Sequence, residues 1–256
     1  MENQIQKTIQ ELAEQQQQPS NPVQLKILDQ ASSFELAKNI YWKHARKRAM
    51  AELKEEFIVD EENRPTVAAF VAYFTGNVEA MKEYGLDPRK GIIIFGNPGS
   101  GKSMLFRILR DCLQSETPVQ LGERVVRERN FFVRSSFLTC EHMAKLYMAK
   151  GEGELHKFGQ KAVVKINDEY QCHHACFDDL GAEEVRNNFG NVKEVMVDLI
   201  NERYDLFLQH GLKTHFTTNL NPDQIEKRYS TRVRSRLKHM CNVLSLGISE
   251  NYLDRR

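Results

Sequence analysis

Gly91-Ile92-Ile93-Ile94-Phe95-Gly96-Asn97-Pro98-Gly99-Ser100-Gly101-Lys102-Ser103 is the stretch on which the fold turns. Its opening residues form a short, almost wholly apolar run, which is how a strand buried on both faces of a sheet reads. From Gly96 to Ser103 the chain then satisfies the spacing G-x-x-x-x-G-K-[S/T] at every fixed position. Met104, Leu105, Ile108, Leu109, Cys112 and Leu113 follow at helical intervals. A strand, a glycine-rich turn and a helix in that order build a phosphate-binding loop. Glycines let backbone N–H groups close around phosphate oxygens, and the helix N-terminus adds positive potential. In this reading Gly96, Asn97, Pro98, Gly99, Ser100, Gly101, Lys102 and Ser103 hold the nucleotide. Lys102 reaches the terminal phosphates, and Ser103 supplies a hydroxyl ligand to a metal. The implied cofactors are ATP and Mg²⁺.

Downstream, strand-like and helix-like segments alternate. A second strand is predicted over 131–134, leading into a helix over 141–150. A third strand, 172–177, ends at Asp178-Asp179. A helix over 192–207, a strand over 214–218, a basic helix and a final strand over 243–246 complete the pattern. Such alternation predicts a parallel sheet covered on both faces, a three-layer αβα arrangement of the P-loop NTPase type. A phosphate loop needs a second metal anchor, normally an aspartate at the end of a neighbouring buried strand. Asp178 fills that role through water, and Asp179 orients the attacking water or takes its proton. Cys172, His173, His174 and Cys176 lie beside this strand, but adjacent strand positions point to opposite faces. They do not easily converge on one zinc ion.

Upstream, residues 1–33 are glutamine-rich and interrupted by Pro19 and Pro22, which predicts a flexible tail. Ile5, Ile9 and Leu12 are spaced as a helix, so a partner-docking element is the alternative. Residues 34–86 read as an N-terminal helical region: Leu36, Ile40, Ala45, Met50, Leu53 and Phe57 recur at helical intervals up to about 59. A short helix follows over 66–75, with Pro65 in its first turn. The basic run Lys43-His44-Ala45-Arg46-Lys47-Arg48, next to Tyr41 and Trp42, could grip phosphates or form a solvated face. Residues 87–256 form the ATPase domain. A formal charge of +1 excludes nucleic-acid binding through bulk charge, so any such site must come from local clustering. The five cysteines show no regular framework, which fits a reducing compartment. The opening residues show no apolar signal-peptide core, and no apolar run approaches a membrane span. A cytoplasmic location is expected.

Three strings together resemble the DnaC/IstB family of AAA+ ATPases, bacterial helicase loaders and transposition helpers. They are the loop 96–103, Asp178-Asp179-Leu180-Gly181-Ala182-Glu183, and Thr217-Thr218-Asn219-Leu220. Ile200-Asn201-Glu202-Arg203-Tyr204, Arg232-Val233-Arg234-Ser235-Arg236-Leu237 and Leu246-Gly247-Ile248-Ser249 add to the likeness, which spans roughly 66–250 and weakens over 115–170. The resemblance implies an AAA+ core without a C-terminal lid and a polar sensor at Asn219. It also implies arginines at 232 and 236 that reach the nucleotide of a neighbouring subunit. An oligomer in the ATP state, single-stranded DNA, and a helicase or transposase client are the implied partners. The N-terminal region lacks the zinc-binding cysteine cluster of some loaders. Two other readings compete: a P-loop kinase, and a binding module in which ATP only switches affinity for a protein.

Overall fold

The apolar run Gly91–Phe95 becomes β1, the second strand of a five-stranded parallel sheet. The structure is a computed structural model and describes residues 30–121, 124–188 and 191–247. Residues 1–29 of the expected 1–33 tail and residues 248–256 lie outside the described residues, as do any roles expected of them, whereas Gln30–Ser33 already belong to the first helix. The sheet order is β11 (Cys241–Ser245), β1, β10 (Thr214–Thr218), β7 (Ala175–Leu180) and β4 (Ser136–Thr139). Ile93 pairs with Phe216, Gly91 with Cys241, Thr214 with Ala175, and Thr139 with Asp178.

Side chains alternate across the sheet as a doubly covered strand requires. Ile92, Ile94 and Cys176 enter one core, whereas Ile93, Phe177 and Phe216 enter the other. The first core is closed by α1 (Gln30–Glu52), α2 (Arg64–Phe74), α3 (Val78–Glu83) and α4 (Lys102–Gln114), through Tyr41, Phe70, Phe74, Phe106 and Ile108. The second is closed by α5 (Cys140–Lys150), α6 (Glu152–Leu155), α7 (Val195–His210), α8 (Pro222–Tyr229) and α9 (Thr231–Met240). The result is the three-layer arrangement read from the strand–helix alternation.

The basic run in α1 is largely spent on docking that helix. Lys43 pairs with Glu128, His44 Nε2 lies 2.9 Å from Glu128 Oε2, and Arg48 Nη2 donates to Asp111 Oδ1 at 2.5 Å. Tyr41 also donates to the Leu105 carbonyl at 3.1 Å. Arg46 and Lys47 remain exposed.

Several predicted boundaries move. The first helix ends at Glu52, before a left-handed Lys54 (φ 62°), and Phe57 packs from beyond it. The apolar trio at 131–133 is not a sheet strand: Phe131 closes a 3₁₀ turn and is buried with Phe132 beneath the first core. The sheet strand is Ser136–Thr139, half exposed because it forms the edge. Apolarity marked burial there, not membership of the ladder. The third strand is shifted, running from Ala175 through both aspartates to Leu180, while Cys172 belongs to a separate hairpin of β5 (Val163–Ile166) and β6 (Glu169–Cys172). The basic helix is two helices, divided at Ser230 (φ 135°), whose hydroxyl caps the second. Two further hairpins have no counterpart in the predicted pattern, β2 (Pro118–Leu121) with β3 (Arg124–Arg127), and β8 (Arg186–Asn188) with β9 (Asn191–Lys193), the latter displacing the start of the helix expected over 192–207 to Val195.

Candidate active site

The loop leaves β1 at the carboxyl ends of the strands, where open parallel sheets carry their ligand sites. Gly96 passes so close to the last strand's exit that a Cβ there would sit 1.9 Å from the Leu246 carbonyl oxygen. Gly101, at φ 94°, turns the chain into α4 in a conformation that favours glycine. Lys102 is buried, and its Nζ donates to the carbonyls of Gly96 (2.8 Å) and Asn97 (2.7 Å) and approaches Ser100 Oγ at 3.3 Å. Burial pulls its ammonium below the usual lysine range, while Asp179 and Asp178 work against that.

Asp178 is 1% exposed, which a carboxylate tolerates only with partners. Its Oδ1 accepts the Ser103 hydroxyl at 2.7 Å and the Thr217 hydroxyl at 2.5 Å. Thr217 Oγ1 in turn accepts the Asp179 N–H at 2.9 Å. Asp179 takes a left-handed backbone (φ 58°), a conformation that aspartate, after glycine and with asparagine, is among the few residues to adopt. Its carboxyl is pushed above the usual aspartate range by burial first and by the Asp178 charge second, with Lys102 and Arg107 opposing. A half-buried carboxylate with a raised proton affinity is suited to taking a proton.

The structure thus gathers Lys102, Ser103, Asp178 and Asp179 at one end of the sheet. Asn219 lies two residues past Thr217, exposed at the same carboxyl end. The two arginines are separated in their surroundings. Arg232 is exposed and has no partner among the described residues. Arg236 folds back onto α7: its Nη1 donates to Asn201 Oδ1 at 2.7 Å, and its guanidinium lies 4.7 Å over the Tyr204 ring.

Two elements were missed as site residues. Thr217 bridges both aspartates; its signal was a polar residue in a strand predicted to be buried, Thr214-His215-Phe216-Thr217-Thr218, since a buried hydroxyl needs a partner. Glu183, 3% exposed, accepts the Gly181 N–H at 2.8 Å and the Tyr229 hydroxyl, while Arg228 Nη2 donates to its carbonyl at 2.5 Å. This ties the segment after Asp179 to α8, and its partners are too distant in the chain for spacing to reveal.

The ligand set also fits Mg²⁺. Ser103 and Asp178 present a hydroxyl and a carboxylate oxygen side by side, the hard oxygen donors that ion prefers.

Sheet, loop and acidic strand end define the class: a P-loop NTPase fold. No family model matches the chain, and no curated protein matches it. Among solved structures it is similar to DnaI, at 16% identity over 80% of this chain and 89% of that one, with a TM-score of 0.47. The DnaC helicase loader matches at 18% identity over 72% and 98% of the two chains, with a TM-score of 0.41. Domain III of the replication initiation protein DnaA from Thermotoga maritima matches at 18% over 77% and 67%, with a TM-score of 0.44. At such identities and scores the likeness assigns no function, which rests on the site residues themselves.

Proposed function

We propose that this chain is a Mg²⁺-dependent ATPase of the DnaC/IstB type, acting as a DNA-associated assembly factor that loads a helicase or assists a transposase. The observation that carries the enzymatic part is the shared carboxylate: Asp178 joins Ser103 of the loop to Thr217 of the sensor strand, with Asp179 beside it. The loop amides hold the phosphates and Lys102 neutralises their charge. Bound Mg²⁺ would polarise the phosphates, held by Ser103 and, through water, by Asp178. Asp179 accepts the proton of a water that attacks the terminal phosphorus as the bond to the ADP oxygen breaks. Asn219 orients that water.

Arg232 is the arginine left free to reach a neighbouring subunit, where such a group accelerates phosphoryl transfer by about 10³-fold or more. That role makes the active form an assembly. The DNA part is supported by exposed cations on the adjacent helices α8 and α9, Lys227 and Lys238. The test is ATP hydrolysis measured against protein concentration, with and without single-stranded DNA. A rate per subunit that climbs with both supports the proposal. A flat, DNA-indifferent rate overturns the assembly reading and favours a kinase or a passive switch.

A further inference from the structure

At the amino-terminal ends of β4 and β7, the pole opposite the nucleotide site, Arg203 of α7 is 1% exposed. Its Nε donates to Thr214 Oγ1 at 2.8 Å, its Nη1 to the Phe158 carbonyl at 2.5 Å, and its Nη2 to the carbonyls of His173 and Lys213, each at 3.2 Å. All four acceptors are neutral. Among the described residues no carboxylate pairs with this guanidinium. The adjacent Glu202 instead accepts from Gln160 N and Nε2, both at 3.2 Å, and lies 3.5 Å from His156. Burial pulls the Arg203 guanidinium down to about 9, with Cys172 opposing. Four neutral oxygens satisfy four of its five N–H donors, but they leave a buried positive charge without a counter-charge.

A cavity of about 310 Å³ opens against this arginine, walled by Ser136, Lys157, Phe158, Lys161 and His173. No carboxylate lines it. Lys161 is exposed and has no ion pair among the described residues, whereas Lys157 meets Glu154 at 2.7 Å at the surface. Two exposed ammonium groups at the rim and a buried guanidinium held by four hydrogen bonds form a site for an anion with several oxygens.

We propose that this cavity binds a small phosphate-bearing molecule through Lys157, Lys161 and the remaining Nη1 proton of Arg203. The volume accommodates a phosphate or diphosphate group, and the arginine lies too deep for an extended phosphodiester strand to reach. This site is separate from the loop at residues 96–103 and does not depend on ATP hydrolysis.

The test uses the full chain carrying Lys102→Ala, which removes the main phosphate-gripping side chain of the loop. Inorganic pyrophosphate is titrated into it by calorimetry, and the His173 ring signals are followed by NMR. The proposal expects saturable binding that shifts His173, and a loss of about tenfold in affinity or more when Lys157→Gln and Lys161→Gln are added. Both lysines are exposed, so the doubly substituted chain should fold, and Arg203 itself stays in place. Absence of binding up to millimolar pyrophosphate overturns the proposal. So does binding that ignores the lysine substitutions, which would belong to the loop. A single-stranded oligonucleotide that binds with the same lysine dependence, where pyrophosphate does not, would also overturn it in favour of a strand contact.

Discussion

The Thr217 hydroxyl donates to Asp178 Oδ1 at 2.5 Å and accepts the Asp179 N–H at 2.9 Å, so one side chain on β10 positions both acidic residues of β7. Thr217→Val keeps the shape and removes both bonds. Stranding the part-buried Asp179 N–H and losing one bond to the buried Asp178 should cost about 1–3 kcal/mol in denaturant unfolding. Turnover should fall further than nucleotide affinity, because the loop that grips the phosphates is untouched. Unchanged turnover would show that the threonine is a core residue only.

Asp179 must be ionised to take a proton, and burial together with Asp178 holds its carboxyl above the usual range. Hydrolysis should therefore decline as the pH falls through that raised value. Arg107, near the site and partly exposed, works to lower it. Arg107→Gln removes that influence, so the acid limb of the kcat profile should move to higher pH. A profile that stays in place would remove Asp179 as the base.

The arginines of α9 should divide cleanly. Arg232→Ala should leave the melting temperature unchanged and lower turnover of the assembled form by about 10³-fold. Arg236→Ala loses its bonds to Asn201 and its stacking on Tyr204, which should destabilise the fold by about 1–2 kcal/mol. Full turnover in the Arg232 variant would return that residue to the solvated surface.

Docking of α1 should be acid-sensitive. Although burial works to raise it, hydrogen bonds from Lys43, Ser115 and His44 outweigh burial and hold the Glu128 carboxyl at about 2, against an ordinary 4.5. A carboxylate held below its unfolded value stabilises the fold above pH 4.5, and that contribution is lost as the pH falls toward 2. Glu128→Gln should lower the melting temperature at neutral pH, with the gap to the unmodified chain closing on acidification. A gap that does not change with pH would place the effect in packing instead.

Gly96→Ala tests the loop without touching a charge. Its new Cβ would meet the Leu246 carbonyl at 1.9 Å, a backbone atom that cannot step aside cheaply. Nucleotide affinity should drop as far as in Lys102→Ala, read by fluorescent-nucleotide titration, with the second core intact. Affinity equal to that of the unmodified chain would mean that the loop adjusts elsewhere.

The sequence by itself determined the glycine-rich loop 96–103, β1 and the layered αβα class, because these are local patterns. A strand buried on both faces shows as an apolar run, and a glycine-rich turn before a helix shows as fixed spacing. It did not determine which half-apolar segment joins the sheet edge. Phe131 and Phe132 are more apolar than Ser136–Thr139, yet they plug the first core while the latter pairs with β7. Nor did it show that Lys43, His44 and Arg48 are spent on Glu128 and Asp111, partners more than sixty residues away. The Thr217 bridge, the separation of Arg232 from Arg236, and the unpaired charge of Arg203 were likewise decided by tertiary structure. Each depends on which distant carbonyl, hydroxyl or carboxylate the fold brings within about 3 Å, and such distances have no period in the chain.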